Sequence, residues 1–469
     1  MAELRWRVKL VAERSSGVVT ETELACIERD EQISLAELGL SLAKAKQVTA
    51  ALQNEMVPAQ MAALGECPRV CEACGRRLAS KGYSAVRFRS LFGDVPVQVR
   101  RLLVCPCQGA SESETQSMAV LGFGRGAAVA PELAYVTARY AAMAPFGKTA
   151  DLLSELLPIS GTQHASTVRS RTLRVGKDVV QTHAAETANQ PAAPAPDPVV
   201  VGIDGGYLRH RHRTEGRRFE VVAGKMIQAD GAQHRFAFPR TGPASTAAAF
   251  QAALAATGVS ADTPATVLCD GDAGLWRLQR EVLPGATVVL DWWHAAVRFE
   301  HALQAARSLG AGTAEACPAD TAVRGLERAK WRLWHGRWPG CRRRLAALCR
   351  WAERRGVRDV AGMDKLRQHV ADLLGYLARN EAALVHYAAR RQRGEPIATS
   401  FVESAVDEII SWRMAKAQQM RWSRATLQPF LDVRTAVLND ALEDAFRRRH
   451  PGFRPRPAND DNRLTATAA

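Results

Sequence analysis

No apolar run in this 469-residue chain approaches the ~18 residues that a membrane-crossing helix needs. The opening MAELRWRVKLVAERSSG has no apolar core of the kind a secretory signal carries. Both absences point to a soluble, cytoplasmic protein and to no membrane partner. Acid is also in short supply: 48 Asp and Glu face 63 Lys and Arg, a net charge of +15. The excess is mostly arginine, whose planar fork binds oxyanions in pairs of hydrogen bonds. A field of this sign favours nucleic acid or an anionic membrane surface. The chain lacks a basic amphipathic anchor for the latter, so nucleic acid is the expected partner. The length exceeds one ordinary core, and roughly two to four domains are expected.

The ten cysteines are not spread as a disulfide framework would be. Cys26, Cys269, Cys317, Cys341 and Cys349 are scattered through apolar or helical contexts and read as reduced thiols. The other five cluster as CPRVCEACG (Cys67, Cys71, Cys74) and VCPCQG (Cys105, Cys107). Cys71-x2-Cys74 followed by glycine is a knuckle whose amides can face a metal-bound thiolate, and Cys105-x-Cys107 closes a tetrahedral sulfur site. Between them YSAVRFRSLFGDVPVQVRRLLV alternates around Gly-Asp as a hairpin would. The outline is a zinc ribbon over 67–110 holding structural Zn²⁺, with Cys67 an alternative ligand and unliganded thiols the bland reading.

Residues 1–66 are expected to be mostly helical, since SLAELGLSLAKAKQVTAALQNEMVPAQMAAL has helical apolar spacing. A helical region follows over 125–188. Within it TADLLSELLPISGTQHASTVRSRTLRVGK reads helix, turn, helix, the second helix starting near Gln163–Ser166 and carrying Arg169, Arg171 and Arg174. That is the layout of a helix-turn-helix reading the major groove, though plain helical packing gives the same pattern. The Pro/Ala stretch 189–198 is a linker and the clearest domain boundary.

Past the linker, strands are expected at 199–204, 219–227, 233–239, 265–269 and 286–290, with helices at 246–257 and 272–282. This order over 199–298 is that of a ribonuclease H-like mixed sheet, in a multidomain α/β chain. Three of the apolar runs break off on aspartate: PVVVGIDGG, PATVLCDGD and GATVVLDWWH, giving Asp204, Asp270 and Asp291. Acids past strand ends serve packing poorly, and in open α/β sheets ligands bind there. A mixed sheet can set the first and fourth strands side by side, so that Asp204 and Asp270 meet. Glu403, in the helical stretch TSFVESAVDEII, is a distant third acid, with Asp407 in reserve at i+4. Three carboxylates are what two Mg²⁺ ions need for displacement at phosphorus, and Mn²⁺ can substitute. Asp204 would bridge both ions, with Asp270 and Glu403 each favouring one. Any single acid can instead be a turn or cap residue, the role expected of Asp272.

Residues 299–395 turn all-helical and strongly basic. Aromatics make up only 6% of the chain, yet Trp331, Trp334, Trp338 and Trp351 crowd together here among arginines that include Arg342, Arg343 and Arg344. Rings can stack on bases while guanidinium groups hold phosphates. The spacing of the first three tryptophans also suits a core stripe, and two of them are expected in the core. Residues 396–445 return to the catalytic core, and 446–469 form a basic tail expected to be disordered.

These residues carry a resemblance. VGIDGGY, LCDGDAG, DWWH and FVESAVDEIISWRMAKAQQMRWS are similar to the motifs of Kra-type insertion-sequence transposases, within the mutator-like group of DDE transposases. The resemblance runs from the cysteine ribbon to about Leu442. It implies Asp204, Asp270 and Glu403 as catalytic acids, and Asp291 and His294 as residues that support them without binding metal. Considered alone, His294 could equally ligate zinc, shuttle a proton or hydrogen-bond in the core. The resemblance further implies an enzyme that cuts and joins DNA at its element's terminal inverted repeats and at target DNA. It would act as an oligomer, at least a dimer, on the nucleoid of a bacterial cell. A domesticated DNA-binding relative and a ribonuclease H-like nuclease without joining activity are the rivals.

Overall fold

In this computed structural model the residues described are 4–13, 17, 19–29, 35, 38–66, 69–71, 73–108, 115–117, 128–159, 163–181, 198–211, 216–310, 317–398, 404–415, 418 and 420–455. They fall into two compact units, one formed by 1–175 with 442–469 and the other by 176–441. The division between the units thus falls at Val175/Gly176, ahead of the expected linker, of which only Pro198 is described.

The first unit opens on strands, not helix. β1 (Leu4–Glu13) pairs antiparallel with β2 (Val19–Arg29). The expectation of helix across 1–66 is corrected here, and the cause is legible in hindsight. Leu4, Trp6, Val8 and Leu10 alternate with Arg5, Arg7 and Lys9, a period of two. The cations meet acids across the ladder, with Arg5 on Glu28 at 2.7 Å, Arg7 on Glu23 at 3.7 Å and Lys9 on Glu21. Helix begins only at α1 (Leu42–Glu66), whose Val57 and Met61 pack on Val95, Val97 and Val99. Those valines line β4 (Gly93–Leu103), hairpinned to β3 (Ser80–Ser90). The turn is Leu91–Phe92 rather than Gly-Asp. Gly93, at φ +119°, opens the second strand, and Asp94 lies within it 3.6 Å from Arg89. β5 (Thr115–Ser117) and β6 (Ala128–Val129) flank this pair.

Three helices follow: α2 (Pro131–Met143), α3 (Phe146–Leu156) and α4 (Ala165–Val175). α4 starts where the sequence placed a second helix. The C-terminal segment is structured as far as Arg454, which corrects part of the expected disordered tail. There Phe446 and Phe453 pack edge-on to Tyr135, and Arg454 clamps Glu132 at 2.9 Å. Residues 456–469 lie outside the described residues.

The second unit is built on a mixed sheet. Its strands are β7 (Val199–His210), β8 (Arg218–Ile227), β9 (Gln233–Pro239), β10 (Ala265–Cys269) and β11 (Thr287–Leu290), in the order β11-β10-β7-β8-β9. β10 runs parallel to both β7 and β11, while β8 is antiparallel to β7 and β9. The first and fourth strands of this unit are thus neighbours, as the element order suggested. One face packs on α5 (Pro243–Ala255) and α6 (Ala273–Val282) through Phe250, Leu254, Leu275 and Leu278. The other meets α7 (Trp292–Arg307) and the all-helical region α8 (Pro318–Trp334), α9 (Trp338–Ala352), α10 (Met363–Arg379) and α11 (Tyr387–Gln392). A π-helical turn, Asp407–Ser411, leads into α12 (Trp412–Met414). After it come β12 (Arg421–Trp422), α13 (Arg424–Leu438) and, in the first unit, α14 (Leu442–Arg449).

Two of the first three tryptophans of the basic region enter the core, as expected, but not as one stripe, and Trp351 packs against the same core. Gly336, at φ +67°, ends α8, so Trp338 starts a new helix. Trp338 is buried and Trp334 stacks on Tyr387, while Trp331 is 58% exposed.

Candidate active site and metal centre

Asp204 does not follow its strand. β7 continues six residues further, to His210, which corrects the strand-end expectation for this acid. Asp270 does directly follow β10. The register bears on how they meet. Val199 pairs with Ala265 and Gly202 with Leu268, an offset of 66 that, carried two residues past the last pair, would bring Asp270 level with Asp204. Side chains alternate along a strand. Val199, Val201 and Ile203 face α5 and α6, as do Val267 and Cys269. Val200 and Leu268 face the helical region, so Asp204 and Asp270 lie on that side together.

The sheet edge is open at this point. β10 ends level with Ile203, and β12 joins the same edge of β7 only at Arg209. Among the described residues the stretch between has no neighbouring strand there, which leaves a notch beside Asp204. A Cβ on Gly206 would lie 2.5 Å from the Ile410 side chain, so the Asp407–Ser411 turn sits on this same face two residues past Asp204. Glu403, the expected third acid, is outside the described residues. Asp407 is half-buried, and Glu408 is committed to Arg235 at 2.5 Å.

Both aspartates are half-buried. Asp204 Oδ1 accepts from the Gly205 amide at 2.6 Å, and Asp270 Oδ1 from the Asp272 amide at 2.9 Å. Asp270 Oδ2 has no hydrogen bond among the described residues. Asp272 is not a third ligand. Its carboxylate caps α6, accepting from the Gly274 and Leu275 amides, and it pairs at 3.3 Å with Arg240, which also holds Glu220. Asp291 is fully buried. It caps α7 through the Trp293 amide at 2.7 Å, its own amide donates to the Cys269 carbonyl, and its Oδ2 lies 3.7 Å from His294 Nε2. It therefore ties the start of α7 to the end of β10 from below the surface.

Sequence reasoning missed the residues that brace this turn. Tyr376 Oη donates to the Asp270 carbonyl at 2.8 Å, and burial pushes its pKa up, so it remains a donor near neutral pH. Asn380 accepts from Trp276 Nε1 at 2.8 Å. Nothing local in GYLARN marks them.

The cysteines assemble as expected. Cys71, Cys74, Cys105 and Cys107 present sulfurs all within 4.8 Å of one another, and among the described residues no other group of three or more such side chains is close enough to share an ion. Cys71 and Cys107 sulfurs are 3.5 Å apart, as are those of Cys74 and Cys105. A tetrahedron with Zn–S bonds of about 2.3 Å has edges of about 3.8 Å. The knuckle closes by the Gly75 amide on the Cys71 carbonyl, with Gly75 at φ +71°. Amides of Cys74 and Ala73 draw the Cys71 thiol down to about 7, while neighbouring Cys105 and Cys71 push Cys107 up to about 12. A cation would hold all four as thiolates. These residues could hold a structural metal such as zinc. Cys67 lies outside the described residues.

Arg171, placed by sequence on the reading face of α4, is instead 7% exposed and donates to Thr137 Oγ1 at 3.0 Å. The exposed line of that helix runs Ser166, Ser170, Arg174, while Arg169 is half-buried. On α9, Arg342, Arg343 and Arg350 line a groove of about 440 Å³ with Trp338, Pro339 and Glu381, whereas Arg344 is half-buried. No helix among the described residues is long and apolar enough to cross a membrane. No protein-family model matches this chain, and no curated protein matches it.

Proposed function

We infer that this chain is a divalent-metal-dependent DNA transposase whose second unit is a ribonuclease H-like catalytic domain. The observation that carries the reading is the register of β7 and β10, adjacent parallel strands that bring Asp204, within β7, and Asp270, just past β10, to one face beside an open edge. The sheet order β11-β10-β7-β8-β9, interrupted by a helical insertion before the Asp407–Ser411 turn, supports it.

The donor set fits hard cations, since both acids offer carboxylate oxygen and Asp270 Oδ2 accepts no hydrogen bond among the described residues. Asp204 and Asp270 would hold two Mg²⁺ (or Mn²⁺) with Glu403 as third ligand, and the bound ions would supply Lewis acidity to the attacking hydroxyl and the leaving 3′-oxygen. The chain's own residues do the positioning. The β7–β10 register brings the two acids to one sheet face, Asp291 pins α7 to the strand end, and the notch would admit a DNA backbone. Structural zinc in the four-cysteine ribbon completes no chemistry, because four thiolates leave no open position. The partners are terminal inverted repeats and target DNA, bound by an oligomer of this chain, at least a dimer.

The test is cleavage and joining of duplexes carrying the repeats that flank the coding region. Wild type should cut and join in Mg²⁺. Asp204→Ala, Asp270→Ala and Glu403→Ala should each bind ends normally and lose cutting by more than the roughly 10–100-fold that losing an outer metal partner costs. Cutting without joining would favour the nuclease reading. An Asp270→Ala variant at near wild-type rate would overturn the assignment of that acid.

A further inference from the structure

We propose that Tyr376 is a positioning residue coupling the helical insertion to the acidic notch, its hydroxyl fixing the Asp270 turn and its ring presenting Arg298 to a backbone phosphate of bound DNA. This rests on the metal-dependent reading above. Tyr376 and Asn380 stand one turn apart at the C-terminal end of α10, and both are 4% exposed. Tyr376 Oη donates to the Asp270 carbonyl at 2.8 Å. Asn380 Nδ2 donates to the Tyr376 carbonyl at 2.9 Å, and Asn380 Oδ1 accepts from Trp276 of α6 at 2.8 Å.

The turn they brace has no slack. Gly271 is at φ +94°, and a Cβ there would lie 2.8 Å from Asn380 Nδ2 and 3.0 Å from the Tyr376 ring. A phenylalanine at 376 would fill the same core space beside Leu373 and Leu377. The hydroxyl therefore serves the bond to Asp270, since a buried hydroxyl without a partner is costly. Bracing of this kind sets where a ligand carboxylate sits.

The ring has a second use. Arg298, exposed on α7, lies with its guanidinium 4.1 Å above the Tyr376 ring centroid. Among the described residues it has no acidic partner. It sits two turns beyond Asp291 and one beyond His294 on α7, over the ring whose hydroxyl bonds the Asp270 carbonyl. The ring beneath holds the cation in place by cation–π attraction, and its N–H groups remain available to a phosphate.

The experiment uses the full chain, Mn²⁺ as metal probe and a random-sequence duplex as nucleic-acid probe. Tyr376→Phe should weaken Mn²⁺ binding by about tenfold. It should also speed amide exchange at residues 270–272 and leave duplex affinity unchanged, because the ring remains. Arg298→Ala should do the reverse, keeping Mn²⁺ affinity and lowering the salt slope of duplex binding by about one. Unchanged Mn²⁺ affinity and unchanged exchange in Tyr376→Phe would overturn the brace, and an unchanged salt slope in Arg298→Ala would overturn the phosphate contact. Asp204→Ala in the same Mn²⁺ titration separates the two levels. If it binds Mn²⁺ like wild type, the catalytic reading fails, whereas exchange at 270–272 and the salt slope still report on Tyr376 and Arg298.

Discussion

The cysteine ribbon and the acidic notch are both candidate metal centres, and they are built in opposite ways. The ribbon draws four ligands from a knuckle and a strand end about thirty residues apart, joined by one hairpin. Its sulfurs face one another and close the coordination sphere. The notch draws Asp204 from within β7 and Asp270 from the end of β10, 66 residues apart, and both half-buried acids lie beside an open sheet edge. A closed soft site suits structure, while an open hard site suits chemistry. On the function proposed above, ligand type and edge geometry together separate the two roles.

The sharpest test of that contrast is differential chelation. Brief EDTA treatment should stop DNA cleavage completely, with Mg²⁺ restoring it, while about one zinc per chain survives, as mass spectrometry under native conditions would report. Cys71→Ser with Cys105→Ser should do the opposite, losing zinc and melting the β3–β4 hairpin. Loss of both metals together under EDTA would break the distinction. So would a zinc-free preparation whose hairpin is intact.

A smaller effect separates the basic surfaces. Neutralising Arg342, Arg343 and Arg350 should weaken terminal-repeat and scrambled duplexes alike and reduce the salt slope by about three, one per phosphate contact. Exchanging Arg350 for Arg344 in that triple variant should lessen the loss, since Arg344 does not line the groove. Selective loss of the terminal repeat would mean that the insertion reads sequence.

The smallest effect concerns α4. Arg174→Ala should reduce preference for terminal repeats by about 1–3 kcal/mol if it reaches a base edge. Arg171→Met should leave DNA binding unchanged and shift stability by about 1 kcal/mol or less, because replacing a buried charge by an apolar chain of similar length is often nearly neutral. Burial already lowers the Arg171 pKa to about 10, a sign that its charge is held at a cost. Titration of both variants against repeat and scrambled duplexes, with thermal melts, decides it.

Much of this was written locally. The C-x2-C-G knuckle, the valine-rich strands of the second unit, the capping role of Asp272 and the second helix from Ala165 follow from spacing and turn chemistry that act over a few residues. The β1–β2 pair escapes a helical reading of 1–66 because the helical pattern of 34–64 does not reach back over the period-two stretch at Leu4–Leu10. The misplacement of Arg171 has a different source. Basic residues at 169, 171 and 174 mark a helix as cationic, but which of them points outward depends on where α2 packs, and Thr137 supplies that answer.

What the sequence determined by itself was the identity of the five main strands of the second unit, the cysteine set and the sign of the charge, because propensity, ligand chemistry and composition need no partner. Only the tertiary structure decided that Asp204 lies inside its strand, that β10 runs beside that strand with Asp270 at its end, and that Tyr376 and Asn380 brace the turn after β10. Those facts depend on strand register and helix docking across 66 to more than 100 residues, contacts whose energies arise only once the sheet has formed.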